Sequence, residues 1–304
     1  MNPVENRDQN QGPRKYGSLT VQAHNYFWKK IQMQNAPFWN IGSKAVLSLT
    51  TSTMNSFIKL GFKEISVNNM DTFTSILQNP YRNQAVITYS NHISTFDDPI
   101  IWGLLPKSIR KDPNLMRWTL GAKELTFINP PLTAFFSLGK VIPIIRGIGI
   151  YQAAMDVALS KINDKKWVHI FPEGFVNQKP ELLRFKWGVS RLIMEAEQTP
   201  IVVPIFHRGL DDVFPLSNKY RYPVLYPRDK SIYINFGNPL NFTQVVNDWK
   251  EIRSTLTSES EKNELDKIFR IVISDILSIH LNKMKFEYEK NNLKGLDKKI
   301  ENLE

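Results

Sequence analysis

The chain has 304 residues, of which 42% are hydrophobic and 12% aromatic, so it can bury one large core or two modest ones and is globular. Its formal net charge of +10 indicates an acidic partner, either nucleic acid or an anionic membrane surface. Because the sequence contains no cysteine, disulfides, thiolate metal sites and a cysteine nucleophile are excluded.

Residues 1–34 are expected to form a flexible arm. Residues 1–15 are polar and lack the apolar centre of a cleavable signal peptide. Residues 26–30, with the sequence YFWKK, combine aromatic and basic side chains, a mixture typical of headgroup depth in a membrane.

Residues 35–63 are predicted to attach the protein to a membrane surface. Their apolar side chains are interrupted by serines, threonines, Lys44 and Lys59, and the whole chain lacks a run of about 18 apolar residues. This segment is too polar to span a bilayer, but it suits a helix that lies in the interface with its lysines extended towards water. An ordinary core helix with a polar Ser/Thr face remains the alternative.

Residues 64–282 alternate between strand and helix patterns, which predicts an α/β domain with a mixed sheet flanked by helices. The predicted strands are Ala85–Tyr89, Arg117–Ala122, Lys140–Arg146, Trp167–Phe171, Ile201–His207 and Ser231–Phe236. The predicted helices are Pro99–Leu105, Tyr151–Lys161, Trp187–Glu197 and Phe242–Leu256, followed by a long amphipathic helix from about residue 265. Pro204 predicts that its strand is kinked or lies at a sheet edge. Residues 283–304 are expected to form a charged helical tail.

The most informative stretch is residues 85–102, AVITYSNHISTFDDPIIW. His92 and Asp97 follow a buried strand, and Pro99 fits the first turn of a helix with Asp98 as its N-cap. Residues five apart diverge on a continuous helix, but in a turn they can face each other. A carboxylate that orients an imidazole is the arrangement of a general base acting on a hydroxyl.

Two alternatives remain for this stretch. The His-x4-Asp spacing by itself is a weak signal, and a histidine near a helix start can simply satisfy a turn. Ser94 and Thr95 lie close enough to His92 in the chain to keep a covalent acyl-enzyme route open, although they can also shape the turn.

Other polar residues stand where later strands end. Arg146 and Gly147 follow an apolar strand and suit a phosphate clamp, with an ordinary surface arginine as the alternative. The Gly147-x-Gly149 pair is too short to indicate a dinucleotide loop. His169, between two apolar residues of a strand, is expected to be a structural core residue, and His207 is expected to be solvated or structural.

The strand that ends at Phe171 is followed by a further group of candidates. Glu173 could bind a substrate hydroxyl, and the N–H of Gly174 could stabilise an anionic oxygen. Arg184 and Lys186, interleaved with aromatic residues, suit a lipid phosphate.

Four blocks in this order resemble the glycerolipid acyltransferase superfamily, and they are Asn91-His92-x4-Asp97, Arg146-Gly147, Phe171-Pro172-Glu173-Gly174 and the Pro204 strand. Longer stretches resemble a narrower family of mitochondrial phospholipid–lysophospholipid transacylases, and they are SNHISTFDDP, LMRWTLGAKELTF, FFSLGKVIPIIRG, WVHIFPEGFVN and LRFKWGVSRLI. The resemblance covers about residues 38–242.

This resemblance implies the acyltransferase fold and a role for each matching residue. His92 is implied as the base, Asp97 as the group that orients it, and Arg146, Glu173 and Gly174 as acceptor-binding residues. Many superfamily members continue the third block as Glu-Gly-Thr-Arg, whereas here Gly174 is followed by Phe-Val-Asn. The narrower family shares this departure, so contacts to the acceptor phosphate are expected from Arg184 or Lys186.

The implied function is CoA-independent transfer of acyl chains between phospholipids and lysophospholipids, which remodels cardiolipin and needs no cofactor or metal. The protein is expected to be monotopic on a mitochondrial membrane, inner or outer, facing the intermembrane space, where cardiolipin supplies an anionic surface. An acyl-CoA-dependent lysophospholipid acyltransferase and a non-enzymatic binder of anionic membranes are the alternatives. Nucleic-acid binding is disfavoured because the basic residues are dispersed and no reader motif is present.

Overall fold

The computed structural model describes residues 18–33, 37–211 and 229–301. The described chain folds around one seven-stranded sheet with the order β1-β7-β6-β2-β5-β3-β4. The strands are β1 (Glu64–Asn68), β2 (Val86–Ser90), β3 (Trp118–Ala122), β4 (Val141–Ile144), β5 (Trp167–Ile170), β6 (Ile201–Arg208) and β7 (Ser231–Phe236).

Strand β2 is the central strand and is buried along its whole length. It pairs in parallel with β5 on one side and with β6 on the other, and all five of its residues are buried. Its apolar, β-branched sequence suits a parallel strand covered on both faces. Strands β3 and β4 continue the parallel pairing, so residues that follow β2, β4 and β5 emerge at the same edge of the sheet.

The helices cover both faces of the sheet. They are α1 (Ser18–Gln32), α2 (Pro37–Gly61), α3 (Met70–Gln78), α4 (Asp97–Gly103), α5 (Lys107–Arg110), α6 (Lys123–Thr126), α7 (Pro130–Leu138), α8 (Ala153–Asn163), α9 (Gly188–Glu195), α10 (Thr243–Thr255) and α11 (Glu259–Glu301). One apolar cluster takes side chains from α8, α9 and α11, and a second takes them from α2, α3 and α4. In the second cluster, Trp102 meets Trp167 edge to face at a centroid distance of 4.8 Å.

The predicted α/β architecture is confirmed, and the six predicted strands are present with shifts of up to two residues at their ends. The sequence missed β1, a short, only half-buried strand that lies at the sheet edge. It also missed the short helices α3, α5, α6 and α7, because pieces of four to nine residues carry little periodic signal.

The prediction of an edge position for the Pro204 strand is wrong, because β6 lies between β7 and β2. A proline is tolerated inside this sheet because the antiparallel ladder with β7 is interrupted beside it. The ladder begins at the Ile205–Phe236 pair, and contact resumes only at the Val202–Leu240 bridge. Pro204 lies between these two points and accepts a hydrogen bond from the N–H of Gly237 at 2.8 Å.

The N-terminal helices dock on the domain. Residues 18–32, predicted as part of a flexible arm, form α1, which contacts α7 and buries Ile31 completely. Phe27 of α1 approaches Trp39 of α2 at a centroid distance of 6.5 Å. Residues 1–17 of the predicted arm lie outside the described residues.

Helix α2 has one buried and one exposed face. Trp39, Leu47 and Ile58 are buried, and α2 contacts α4 and α7. The opposite face exposes large apolar side chains, namely Phe38, Ile41, Leu49 and Leu60, at 68–87% of their surface. Among the described residues, no helix combines the length and the apolar character needed to cross a bilayer.

Helix α11 continues through the expected boundary between residues 282 and 283. Met284 is buried, and Tyr288 packs against Tyr233 of β7 at a centroid distance of 4.5 Å. The first part of the predicted tail therefore belongs to the helix that covers the sheet.

Candidate active site

His92 and Asp97 are in contact at the carboxyl end of the central strand. The His92 Nδ1–Asp97 Oδ2 distance is 2.8 Å, with Asp97 fully buried and the His92 side chain 20% exposed. A carboxylate can only accept, so Nδ1 carries the proton and Nε2 is left as the basic nitrogen. Phe171 stacks on the imidazole at a centroid distance of 4.1 Å and fixes the plane of the ring.

The turn after β2 is folded around the Asp97 carboxylate. Its Oδ2 also accepts the backbone N–H groups of Ile93 and Ser94, at 2.7 and 2.9 Å. The Oγ of Ser94 accepts from the N–H of Phe96 at 3.2 Å, so this hydroxyl shapes the turn. Ser94 and Thr95 both lie within this turn. The side chain of Ser94 is buried, and that of Thr95 is exposed.

The predicted N-cap is corrected by the structure. Phe96 occupies the N-cap of α4. Asp98 is the second residue of the helix, where it pairs with Arg117 and accepts from the indole N–H of Trp102 at 2.8 Å. Burial would raise the pKa of Asp98, but the adjacent Arg117 outweighs that effect and lowers it. Asp98 therefore ties α4 to β3 and does not cap the helix.

Glu173 connects the turn after β5 to the turn after β2. The buried carboxylate accepts the backbone N–H of His92 at 3.0 Å through Oε1. Its Oε2 accepts from the Asn177 amide and the N–H of Leu183, both at 2.9 Å. Both oxygens of Glu173 thus bind protein groups, and the side chain positions the backbone of His92.

Gly174 occupies a left-handed turn beside this carboxylate. Its φ of 75° favours glycine, and its N–H donates to the carbonyl of Phe171 at 3.1 Å. That N–H, which the sequence suggested for an anionic oxygen, is therefore used within the turn.

Two of the predicted phosphate-binding cations, Arg146 and Lys186, lie over the aromatic ring of Phe175. The guanidinium carbon of Arg146 lies 5.0 Å from the Phe175 centroid, and Nζ of Lys186 lies 6.0 Å from it. Arg146 also pairs with Glu124, with an Nε–Oε1 distance of 2.5 Å. Gly147 follows with a φ of 87° and open space where a Cβ would lie.

Arg184 lies apart from this ring. Its guanidinium carbon is 5.6 Å from the centroid of Trp187, over which Arg270 of α11 also lies at 5.9 Å. Arg184 is exposed, whereas Arg270 is buried.

A chain of buried polar groups runs beneath the turn after β2. The indole N–H of Trp167 donates to Thr88 Oγ1 at 2.8 Å, and Thr88 in turn contacts Nδ1 of His169 at 2.8 Å. The other nitrogen of His169 lies 3.5 Å from Ser90 Oγ, which donates to the Asn91 carbonyl. Burial lowers the pKa of His169 to about 3, so this imidazole is neutral.

Asn91 and His207 clamp the end of β2 to the end of β6. The Asn91 amide donates to the His207 carbonyl at 2.9 Å and accepts the His207 N–H at 3.1 Å. The imidazole Nε2 of His207 lies 2.8 Å from the Asn91 carbonyl and 3.8 Å from Oδ2 of Asp97. Burial lowers the pKa of His207, so it too is neutral and donates from Nε2.

Sequence reasoning missed several residues that hold this site. Phe171, Asn177 and Asn91 stood inside the quoted blocks without an assigned role. Arg117 also lies in a quoted block, but its ion pair was missed because its partner Asp98 was interpreted as a helix cap. The contacts of His169 agree with the structural role predicted for it, and the full burial of His207 agrees with the structural and not the solvated alternative.

Comparison with known proteins agrees with this geometry. A family model described as Acyltransferase matches residues 65–208. Tafazzin of Drosophila melanogaster is 33% identical over 261 residues, which cover 84% of this chain and 68% of the fly protein. Taffazin of Dictyostelium discoideum is 43% identical over 175 residues, covering 56% of this chain and 57% of that protein. N-acylphosphatidylethanolamine synthase of Arabidopsis thaliana is 42% identical over 179 residues, covering 58% and 63%.

A mixed sheet with a histidine–carboxylate pair at the end of its central strand, together with the matching family model, defines an acyltransferase. The chain belongs to the tafazzin family. The sequence-based assignment to an acyltransferase and to this family is therefore confirmed.

The neutral buried His169 predicts a stability that depends on pH. Its pKa of about 3 lies below the value near 6.5 of an unfolded histidine, so its contribution is complete above pH ~6.5 and is lost as the pH falls. The free energy of unfolding should decrease by up to about 1.4 kcal/mol per pH unit below 6.5 from this residue. Urea denaturation at pH 7.5, 6.5 and 5.5 measures the slope, which His169→Gln should make shallower. An equal slope in the variant would contradict the neutral assignment.

Proposed function

We propose that this protein transfers acyl chains between phospholipids and lysophospholipids without CoA. The observation that carries the proposal is the 2.8 Å hydrogen bond between His92 Nδ1 and the buried carboxylate of Asp97. It fixes the tautomer in which Nε2 accepts a proton, as a base acting on a lipid hydroxyl requires.

In the proposed reaction, His92 Nε2 removes the proton from the hydroxyl of a lysophospholipid. The hydroxyl oxygen attacks the carbonyl carbon of an acyl ester on the donor phospholipid, and the bond from that carbon to the glycerol oxygen breaks. The departing oxygen takes the proton back from His92, so the donor leaves as a lysophospholipid. Asp97 holds the ring and stabilises the imidazolium that forms between these steps.

Arg146 and Lys186 support a lipid phosphate as the group that the site recognises. Arg146 and Lys186 both lie over the ring of Phe175. The preceding residue, Gly174, belongs to the turn after β5, where Glu173 accepts the N–H of Leu183. An arginine fork and a lysine ammonium both bind phosphate oxygens by charged hydrogen bonds.

An exchange between two esters of the same kind changes the free energy little, so the reaction is reversible and needs no energy-rich donor. Lipid packing then decides which acyl chains accumulate. The net charge of +10 and the relatives named tafazzin support cardiolipin, an anionic lipid, as the lipid that is remodelled.

A second candidate is acyl transfer to the amine of phosphatidylethanolamine. The specific observation in its favour is the 42% identity with N-acylphosphatidylethanolamine synthase. The same histidine can accept a proton from an attacking amine, and the product is then an amide instead of an ester.

The first prediction concerns the base. Purified protein in vesicles that hold a phospholipid with a labelled acyl chain, together with a lysophospholipid and phosphatidylethanolamine, should transfer label to the lysophospholipid ester without CoA. His92→Ala should lower this rate by ~10²–10⁴-fold, the usual contribution of a general base. Asp97→Asn should cost a comparable factor because it releases the wrong tautomer.

The matched control is His280→Ala, which removes a histidine of α11 whose Nδ1 contacts the carbonyl of Ile276. Near-normal turnover in His92→Ala would refute the assignment of the base. Label found only in an amide would select the second candidate, and strict dependence on acyl-CoA would select a CoA-dependent acyltransferase.

The second prediction concerns the cations. Arg146→Gln and Lys186→Gln should raise the lipid concentration needed for half-maximal rate, by at most about 1.5–3 kcal/mol, or roughly 10- to 150-fold. Lys179→Gln, an exposed lysine of the same loop, is the control. If both variants show the wild-type dependence of rate on lipid concentration, Arg146 and Lys186 do not bind the lipid phosphate.

We further propose that the protein is monotopic on a mitochondrial membrane, inner or outer, facing the intermembrane space. Phe38, Ile41, Leu49 and Leu60 form an apolar stripe along α2, and a lysine held at the bilayer centre would cost roughly 2.5–3.5 kcal/mol. Residues 132–150 contain a further apolar stretch, in which Val141 and Ile142 are buried in β4, whereas Phe135, Ile145 and Ile148 are exposed. An interfacial position sets the site at the depth of lipid esters.

The third prediction concerns this attachment. High salt should leave the protein on vesicles, because apolar burial persists when surface charge is screened. Phe38→Glu and Leu49→Glu should each weaken vesicle binding by about 1.5–3 kcal/mol, measured by co-sedimentation. Tyr81→Glu, which replaces a residue that is 91% exposed outside this stripe, should bind normally. Release by salt alone would point to purely electrostatic attachment.

A further inference from the structure

Helix α11 carries a second apolar face that the domain does not cover. The buried side of the helix contacts α9, α10 and β6 through residues such as Ile273, Leu277 and Leu281. On the other side, five large apolar side chains are 41–65% exposed, namely Ile268, Val272, Ile279, Phe286 and Leu293. They span about 37 Å of helix at a rise of 1.5 Å per residue. We call these five residues the outer stripe.

The spacing of the outer stripe matches a helical partner. Val272, Ile279, Phe286 and Leu293 follow one another at intervals of seven residues, and the half-buried Leu265 extends the series by one interval. A seven-residue repeat keeps a single face of a helix in contact with another helix along its length. The series is symmetric about Ile279, with two members on each side. Such symmetry suits an interface in which the same surface is used twice.

The charges along α11 select the direction of pairing. Residues 259–278 carry five acidic and three basic side chains, whereas residues 280–301 carry four acidic and six basic ones. An antiparallel pair of identical helices places each acidic half beside a basic half, and it also opposes the two helix dipoles. A parallel pair would place like halves together.

We propose that a second copy of this chain docks on the outer stripe, with the two α11 helices antiparallel and a two-fold axis at Ile279. In this arrangement Ile279 meets Ile279 of the other copy, and Val272 meets Phe286. The domains lie on opposite sides of the helix pair, because the outer stripe faces away from the sheet. The sites at His92 are complete within each copy, so the proposal is independent of the acyl-transfer chemistry.

The first test measures the oligomeric state of the full chain in detergent, by light scattering over a range of concentrations. The wild-type protein should be a dimer that dissociates on dilution. Ile279→Asp should raise the dissociation constant at least about 100-fold, because it buries two carboxylates against each other. Ile252→Asp, the same change at an exposed isoleucine of α10, should leave the dimer intact. A monomeric wild-type protein, or an Ile279→Asp variant that is still dimeric, overturns the proposal.

The second test measures the direction of pairing by oxidative cross-linking, for which the chain offers a background without cysteine. Ile279→Cys should cross-link with itself. Val272→Cys and Phe286→Cys should each fail to do so alone but should cross-link when the two variants are mixed. Self-linking of Val272→Cys would overturn the antiparallel arrangement. Loss of vesicle binding in Ile279→Asp, with an unchanged mass, would assign the outer stripe to a membrane instead.

Discussion

The buried carboxylate of Asp97 is the constraint on which the site depends. One oxygen accepts two backbone N–H groups and the imidazole N–H, so a single atom closes the turn after β2 and orients the imidazole of His92. A buried carboxylate is costly without partners, and the tight turn supplies them. The same atom thereby couples the folding of this loop to the tautomer of His92.

The groups around this turn act mainly by holding it. Glu173 reaches from the end of β5 to the N–H of His92, and Asn91 and His207 join β2 to β6. Because His169 and His207 are neutral, these two buried imidazoles add no positive charge beneath His92 that would oppose its protonation. Preorganised groups of this kind cost no reorganisation when charge develops in the reaction.

Two helices, α2 and α11, present exposed apolar side chains on the outer surface. Helix α2 packs one face against α4, which begins at Asp97, and turns its apolar stripe outward. An attachment through α2 would thus hold the turn of His92 and Asp97 close to the lipid surface. Helix α11 covers the other face of the sheet, so a partner on its outer stripe would meet the molecule away from α2.

The sequence by itself determined the α/β class and the strands that lead to the site, because these follow from local periodicity. The spacing of His92 and Asp97 was a weak signal alone, and their pairing was expected only when the resemblance in the other blocks was added. The sequence also singled out Glu173 and Arg146, from their positions at strand ends and from the resemblance, and implied acceptor binding for both. Only the tertiary structure decided that both oxygens of Glu173 bind backbone and Asn177, that Asp98 pairs with Arg117, and that Pro204 lies inside the sheet. Each of these contacts depends on which distant segment of the chain packs against a given side chain. The order of strands in the sheet cannot be inferred from a local stretch of residues, whereas helix and strand periodicity can.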